Sequence, residues 1–253
     1  MLKKILIAVV VIAVVAGVSL FILDRTIFAP AAVSTAVPVA PTIAAPTQAP
    51  AQPTEPPAAT QAAAQPTAAA PAAGSAAVYR IDAAQSEARY EVGETFFQGN
   101  RFNLAVGRTK GIAGEVLVDF ANPANSQIGP IVINVSQLTS DEGRRDNYIR
   151  NNALQSSQYP EATFKPTKVE GLPASAKPGD QLTLKVTGDL TVKQTTKPVT
   201  FDVTLQADQN MLTGTAAAEI VLSDFDAGPI QLAMLQTEDK AKLVFEFVAL
   251  PAQ

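Results

Sequence analysis

Two carboxylate pairs are the side chains of this sequence whose type and spacing come nearest to acid–base chemistry: Asp141 beside Glu142, and Asp224 two residues before Asp226. A general acid and a general base are often such a pair. Both pairs, however, fall in turn or helix-start patterns, where acidic side chains cap backbone N–H groups or stay solvated. The 253-residue chain has no histidine and no cysteine. It therefore cannot assemble a Ser-His-Asp arrangement, a thiolate nucleophile, a disulfide, or the usual zinc, copper and haem ligand sets. No enzymatic activity, metal site or cofactor is expected.

The chemistry that remains is apolar binding, and its candidates are aromatic. Tyr90, Phe102, Phe164, Phe201, Phe245 and Phe247 stand on the apolar side of alternating runs, a face that either lines a cavity or fills a core. Phe96 and Phe97 fall in a loop expected over residues 94–101. There they would border a mouth or anchor the loop itself.

Strands must position these residues. The clearest are those between Val186 and Val203, where Val186, Gly188, Leu190 and Val192 alternate with Thr187, Asp189 and Thr191, and Val199, Phe201 and Val203 alternate with Thr200 and Asp202. Period-two alternation predicts a hairpin with one apolar and one wet face, joined over residues 193–198. Further runs at 78–81, 88–92, 102–106, 111–120, 130–136, 162–169, 212–222 and 240–249 are punctuated by Gly, Pro, Asn and Asp. They point to an all-β sandwich or barrel. Thr139-Ser140-Asp141-Glu142 has the form of a capping box and predicts one short helix over 144–152, with Tyr148 and Leu154 buried. Asn134-Val135-Ser136 matches a glycosylation sequon but falls in a predicted strand.

Composition changes sharply near residue 77, which divides the chain into three zones: 1–25, 26–77 and 78–253. The last is an ordinary size for one domain. Its net charge is −5, because removing Lys3, Lys4, Arg25, Asp24 and Glu55 from a chain of net charge −4 leaves 16 basic and 21 acidic residues. No basic patch is concentrated in it, which excludes nucleic acid as a partner.

Ile5 to Leu23 is a run of 19 residues without a charge, preceded by Lys3 and Lys4 and followed by Asp24 and Arg25. A helix of that length would be roughly 28 Å long, close to the hydrocarbon thickness of a bilayer. The zone 1–25 is thus read as an N-terminal transmembrane helix that binds the chain to the cell membrane in a single pass. Its lysines predict a cytoplasmic N-terminus and an extracytoplasmic domain. A cleaved secretory signal normally has a shorter apolar core, of about 7 to 15 residues, and would secrete the same domain. In zone 26–77 ten prolines recur between Pro30 and Pro71, with Glu55 the one charge. Proline at that density forbids a continuous helix, and too few large apolar groups remain for a core. A disordered Pro/Ala-rich linker is expected, serving as a stalk.

Several motifs carry a resemblance. Tyr79-Arg80-Ile81-Asp82, the strand 111–120, Leu138-Thr139 followed by Arg145-Asp146 and Tyr148-Ile149, Tyr159-Pro160 with Phe164, and Ser223-Asp224-Phe225 occur in that order. The most specific is Gly188-Asp189-Leu190-Thr191-Val192 followed by Thr196-Lys197-Pro198-Val199. Together they resemble the YceI-like family of lipid- and polyisoprenoid-binding domains, over nearly all of 78–248. The resemblance implies an extended, antiparallel, lipocalin-like β-barrel with one short helix. It also implies a lumen holding an amphiphilic lipid of the isoprenoid or quinone type, for which Tyr90, Phe96, Phe97, Phe102, Tyr148, Phe164, Phe201, Phe225, Phe245 and Phe247 become lumen or mouth candidates. Where relatives usually carry histidines, this chain has Val92-Gly93-Glu94 and Tyr148, which implies a different head group or none. The competing reading is a stalked cell-surface domain with a filled core, used for protein or glycan contacts.

Overall fold

The computed structural model describes residues 28–43 and 76–252. The predicted membrane span at 5–23 and the linker from 44 to 75 lie outside the described residues. Among the described residues no helix is long and apolar enough to cross a membrane.

Among the described residues twelve strands build one antiparallel sheet: β1 (Ala77–Ile81), β2 (Glu87–Phe96), β3 (Arg101–Thr109), β4 (Ile112–Ala113), β5 (Glu115–Val118), β6 (Gln127–Ile128), β7 (Ile131–Asn134), β8 (Glu161–Glu170), β9 (Gln181–Val192), β10 (Thr195–Ala207), β11 (Leu212–Val221) and β12 (Leu235–Pro251). β1 and β2 follow one bent path, and β3, β4 and β5 another. The two paths pair with each other, from Ala77 opposite Val118 to Phe96 opposite Arg101. From β7 to β12 each long strand pairs with the next, and β12 pairs back on β2 and β1. At Gly114 the two edges meet, because β4 pairs with β7 while β5 pairs with β1. A Cβ on Gly114 would stand 2.5 Å from Ile131 Cδ1 and 2.8 Å from Ile81 Cδ1, so a larger residue there would have to push these two side-chain tips aside. The sheet curls into a barrel of a width that is filled by side chains or holds one slender ligand.

Alternation produces the core. In β9 and β10, Leu184, Val186, Leu190, Val192, Val199 and Val203 are buried while Lys185, Asp189, Thr200 and Asp202 are exposed. The connection between these strands is shorter than the sequence predicts. Lys193 and Gln194 suffice, and Pro198 sits inside β10 opposite Asp189. That position tolerates proline because β10 pairs with β11 only from Asp202 onward, so no second neighbour needs its N–H. Gly188 lies where β8 bulges between Pro166 and Lys168. A Cβ there would come within 2.4 Å of the Lys165 carbonyl oxygen and 2.8 Å of Pro166 Cα. Backbone cannot move aside as a side-chain tip can. Gly188→Ala is therefore expected to cost about 1–3 kcal/mol, read as a fall in Tm of about 2–4 °C per kcal/mol. An unchanged thermal melt would show that the bulge relaxes freely.

Among the described residues one α-helix, α1 (Gly143–Tyr148), follows β7, and a π-helical turn continues it over Ile149–Ala153. The predicted capping box does not form. Thr139 exchanges backbone hydrogen bonds with Arg108, Ser140 donates to Asp146 Oδ1, and Glu142 becomes the cap by accepting from the Arg144 N–H at 3.0 Å. Asn134, of the sequon, is 1 % exposed.

Residues 28–43 differ from the expected disordered linker: they lie against the barrel wall. Asn151 Nδ2 donates to the Ala29 carbonyl at 2.7 Å, Gln137 Nε2 to Ser34 at 2.8 Å and Asn134 Nδ2 to Ala36 at 3.0 Å. In return Ser34 N–H donates to Ser136 Oγ and Ile43 N–H to Glu115 Oε2. Pro38 is buried. Amide side chains on the wall thus satisfy the backbone polar groups of a segment whose own side chains are mostly apolar and offer few hydrogen-bond partners.

Candidate functional site

The curled sheet encloses a cavity of about 300 Å³. Six of the sequence-predicted aromatics line it: Tyr90 from β2, Phe164 from β8, Phe201 from β10, Phe225 after β11, and Phe245 and Phe247 from β12. Phe164 meets Phe201 edge to face at 4.9 Å, and Phe245 stacks on Phe247 at 5.3 Å. Alternation brings these rings together, since residues two apart in a strand share a face. Between them stand aliphatic side chains, among them Ile133, Val186, Leu190, Val203, Ile220 and Leu243, and small ones such as Ala105, Ala216 and Ala241. The small residues leave the space that larger ones would fill.

The other four candidates are placed elsewhere. Phe102, expected to point inward, is 63 % exposed, and Phe97 is 52 % exposed. The expected loop over 94–101 is half strand, since β2 runs to Phe96 and β3 starts at Arg101, and the turn is residues 97–100, with Gly99 and Asn100 at positive φ. This hairpin continues past the barrel rim. Alternation itself turns Phe102 outward: Asn103, Ala105, Gly107 and Thr109 take the inner face of β3, so Phe102 and Leu104 fall on the opposite, outer one. Phe96 lies half-buried under the Arg101 guanidinium at 5.3 Å. Tyr148 turns outward to Phe28, whose ring centroid is 6.0 Å away.

One end of the cavity is polar. Glu94, 4 % exposed, accepts from Arg145 Nε on one oxygen and Nη2 on the other, both at 2.9 Å. Asn103 Nδ2 donates to the same carboxylate. Arg145 comes from α1, so the helix delivers the cation across the barrel mouth. Its remaining Nη1 donates to Asp141 and to Ser140 Oγ. Burial opposes the guanidinium charge, but the Glu94 and Asp141 carboxylates outweigh it and hold the Arg145 pKa above the ordinary arginine value. Tyr90, in the same region, is pushed well above the usual phenol range by burial, so its hydroxyl stays neutral. Sequence reasoning does not mark the pair Glu94–Arg145 as a site. The signal available in the sequence is a charged Glu94 just after the alternating run 88–92, with Arg145 in the helix motif.

Of the carboxylates spaced for acid–base chemistry, Asp141 binds Arg145 in solvent and Glu142 caps α1. Among the described residues no cluster of three or more acidic side chains could hold a metal.

A family model described as a YceI-like domain matches residues 79–249. Protein YceI of Escherichia coli O157:H7 is 32 % identical over 131 residues, 51 % of this chain and 62 % of the relative. The chain thus spans less than two thirds of that relative's length. A UPF0312 protein of Vibrio parahaemolyticus is 33 % identical over 163 residues, 60 % of this chain and 78 % of its own. Among solved structures, a polyisoprenoid binding domain from Saccharophagus degradans implicated in plant cell wall breakdown aligns with a TM-score of 0.52 at 12 % identity, covering 69 % of this chain and 98 % of its own. At that identity the likeness concerns the fold.

Proposed function

Because the chain belongs to the YceI-like domain family, we propose that its barrel holds the apolar chain of an amphiphilic lipid of the isoprenoid or quinone type, at the outer face of the cell membrane. The observation that carries this reading is the cavity of about 300 Å³, apolar along its length and polar at one end. Apolar burial drives such binding at roughly 25 cal/mol per Å², before ordering costs. It requires no catalytic group. The structural neighbour named as polyisoprenoid binding supports the ligand class, and the uncharged run at 5–23 supports the location.

The polar end narrows the head group. Arg145 is already neutralised by Glu94 and Asp141, so the site offers a compensated donor and acceptor rather than a free cation. A hydroxyl or quinone carbonyl fits it better than a phosphate, which would have to compete with Glu94 for the guanidinium. The full chain extracted from its native membrane is expected to carry a lipid mass in native mass spectrometry, released by organic solvent. Added quinones should raise Tm, and the matching polyprenyl diphosphate should do so less. A bare mass, with no shift from either, would favour the filled-core surface domain.

A further inference from the structure

The path of residues 28–43 bears on where the barrel mouth points. Phe28 packs on Tyr148 and lies 4.5 Å under the Arg144 guanidinium, both on α1, the helix that carries Arg145 to the mouth. From there the segment runs down the wall to Glu115. The chain therefore arrives at the barrel at its mouth end. Phe28 follows Leu23, the last residue of the uncharged run, by five positions, which span at most roughly 18 Å when fully extended. A bilayer holding that run would lie within this distance of α1.

The same end of the barrel carries exposed apolar side chains. Among the described residues outside 28–43, the large apolar side chains exposed are Phe97, Phe102, Leu104, Met211, Val221, Met234 and Leu250. Four of these seven lie on the rim hairpin or beside it: Phe102 and Leu104 share a face of β3, and the Phe97 N–H donates to the Met234 carbonyl at 3.0 Å. Single exposed apolar residues are ordinary, but a contiguous group marks an interaction site. The charges placed at the hairpin, Arg101 over Phe96 and Glu238 beside Gly93 and Phe102, are of opposite sign, so the surface suits an interface entered by apolar insertion rather than by attraction to anionic lipid.

We propose that the mouth end is a bilayer-docking face. The hairpin side chains Phe97, Phe102, Leu104 and Met234 enter the interfacial layer of the membrane that the uncharged run crosses, and residues 28–43 are a strap that holds the mouth toward it. The linker is then not a stalk between membrane and domain, since its first part is bound to the wall. Lipid would pass between bilayer and cavity without crossing water. The proposal rests on the membrane anchoring proposed above, and not on what the cavity holds.

The chain lacks cysteine, so single reporters are easily placed. The full chain would be reconstituted in phosphatidylcholine vesicles with an environment-sensitive dye at Phe97→Cys, or at Lys177→Cys in the loop before β9 at the opposite end of the barrel. Quenching by nitroxide groups on the lipid acyl chains is expected to be at least about fivefold stronger at position 97. Added phosphatidylglycerol or salt should not change it. Adding Phe102→Ser, Leu104→Ser and Met234→Ser, all at exposed sites, should return the dye at 97 to water while the thermal melt stays unchanged. Equal, weak quenching at both positions in protein that floats with the vesicles would overturn the docking face alone. Protein that fails to float would overturn the anchoring and the docking face together. Quinone-dependent thermal shifts would be untouched by either result.

Discussion

An Ala216→Trp variant is expected to lose at least about 100-fold in lipid affinity while retaining its fold. Ala216 lies in β11 opposite Val203, is 9 % exposed and faces the cavity. An indole there would displace on the order of 100–150 Å² of ligand contact. At about 25 cal/mol per Å² that is roughly 3 kcal/mol, or about two powers of ten in Kd. Inserting a large side chain into a close-packed core normally destabilises by about 1–3 kcal/mol. Into an open cavity it also gains the contacts the void lacked, so Tm should fall little or rise. The measurement is native mass spectrometry together with a quinone titration followed by thermal shift. Binding that survives the substitution would place the ligand outside the barrel. Binding lost together with cooperative melting would show that the space was never empty.

The alternation that places Ala216 inward is also what makes the fold legible in the sequence. Strands β8 to β12 announce themselves through period-two runs, and of the six aromatic candidates that line the cavity five do so from the inner faces of strands, with Phe225 in the helical turn after β11. For Phe102 hydropathy points to the wrong face. The inner face of β3 carries Asn103, Ala105, Gly107 and Thr109, small or polar residues, while Phe102 and Leu104 alternate onto the outer one. Tyr148 departs from its expected place through a different effect. Its outward contact is Phe28, from a proline-rich segment whose composition predicts no packing and which is ordered by amides belonging to the wall. The cavity itself is not legible, because the sequence does not distinguish aromatic rings that line a space from rings that fill one. That difference lies in the summed volumes of small residues such as Ala105, Ala216 and Ala241 brought together by register.

The polar end yields the second large effect. Glu94→Gln keeps the size of the side chain but removes the charge that Arg145 meets, leaving a guanidinium only 12 % exposed with its remaining carboxylate partner, Asp141, largely in solvent. Breaking a buried pair from one side costs about 3–5 kcal/mol, because an uncompensated charge stays behind. The value here should fall at the low end, near 3 kcal/mol, since Asp141 persists and glutamine still accepts one hydrogen bond. Tm should drop by about 6–12 °C. Glu94→Leu combined with Arg145→Met should recover most of that loss, as apolar replacement of both partners often does. Selectivity should move in the opposite sense to stability. With its charge freed, Arg145 would offer an anionic head the partner that Glu94 now occupies, so the single variant should gain affinity for a polyprenyl diphosphate and lose preference for a quinone. The double variant should show neither preference. A Glu94→Gln protein that melts like the parent and keeps the parent's ligand order would mean that the pair neither braces α1 over the mouth nor meets the ligand's head.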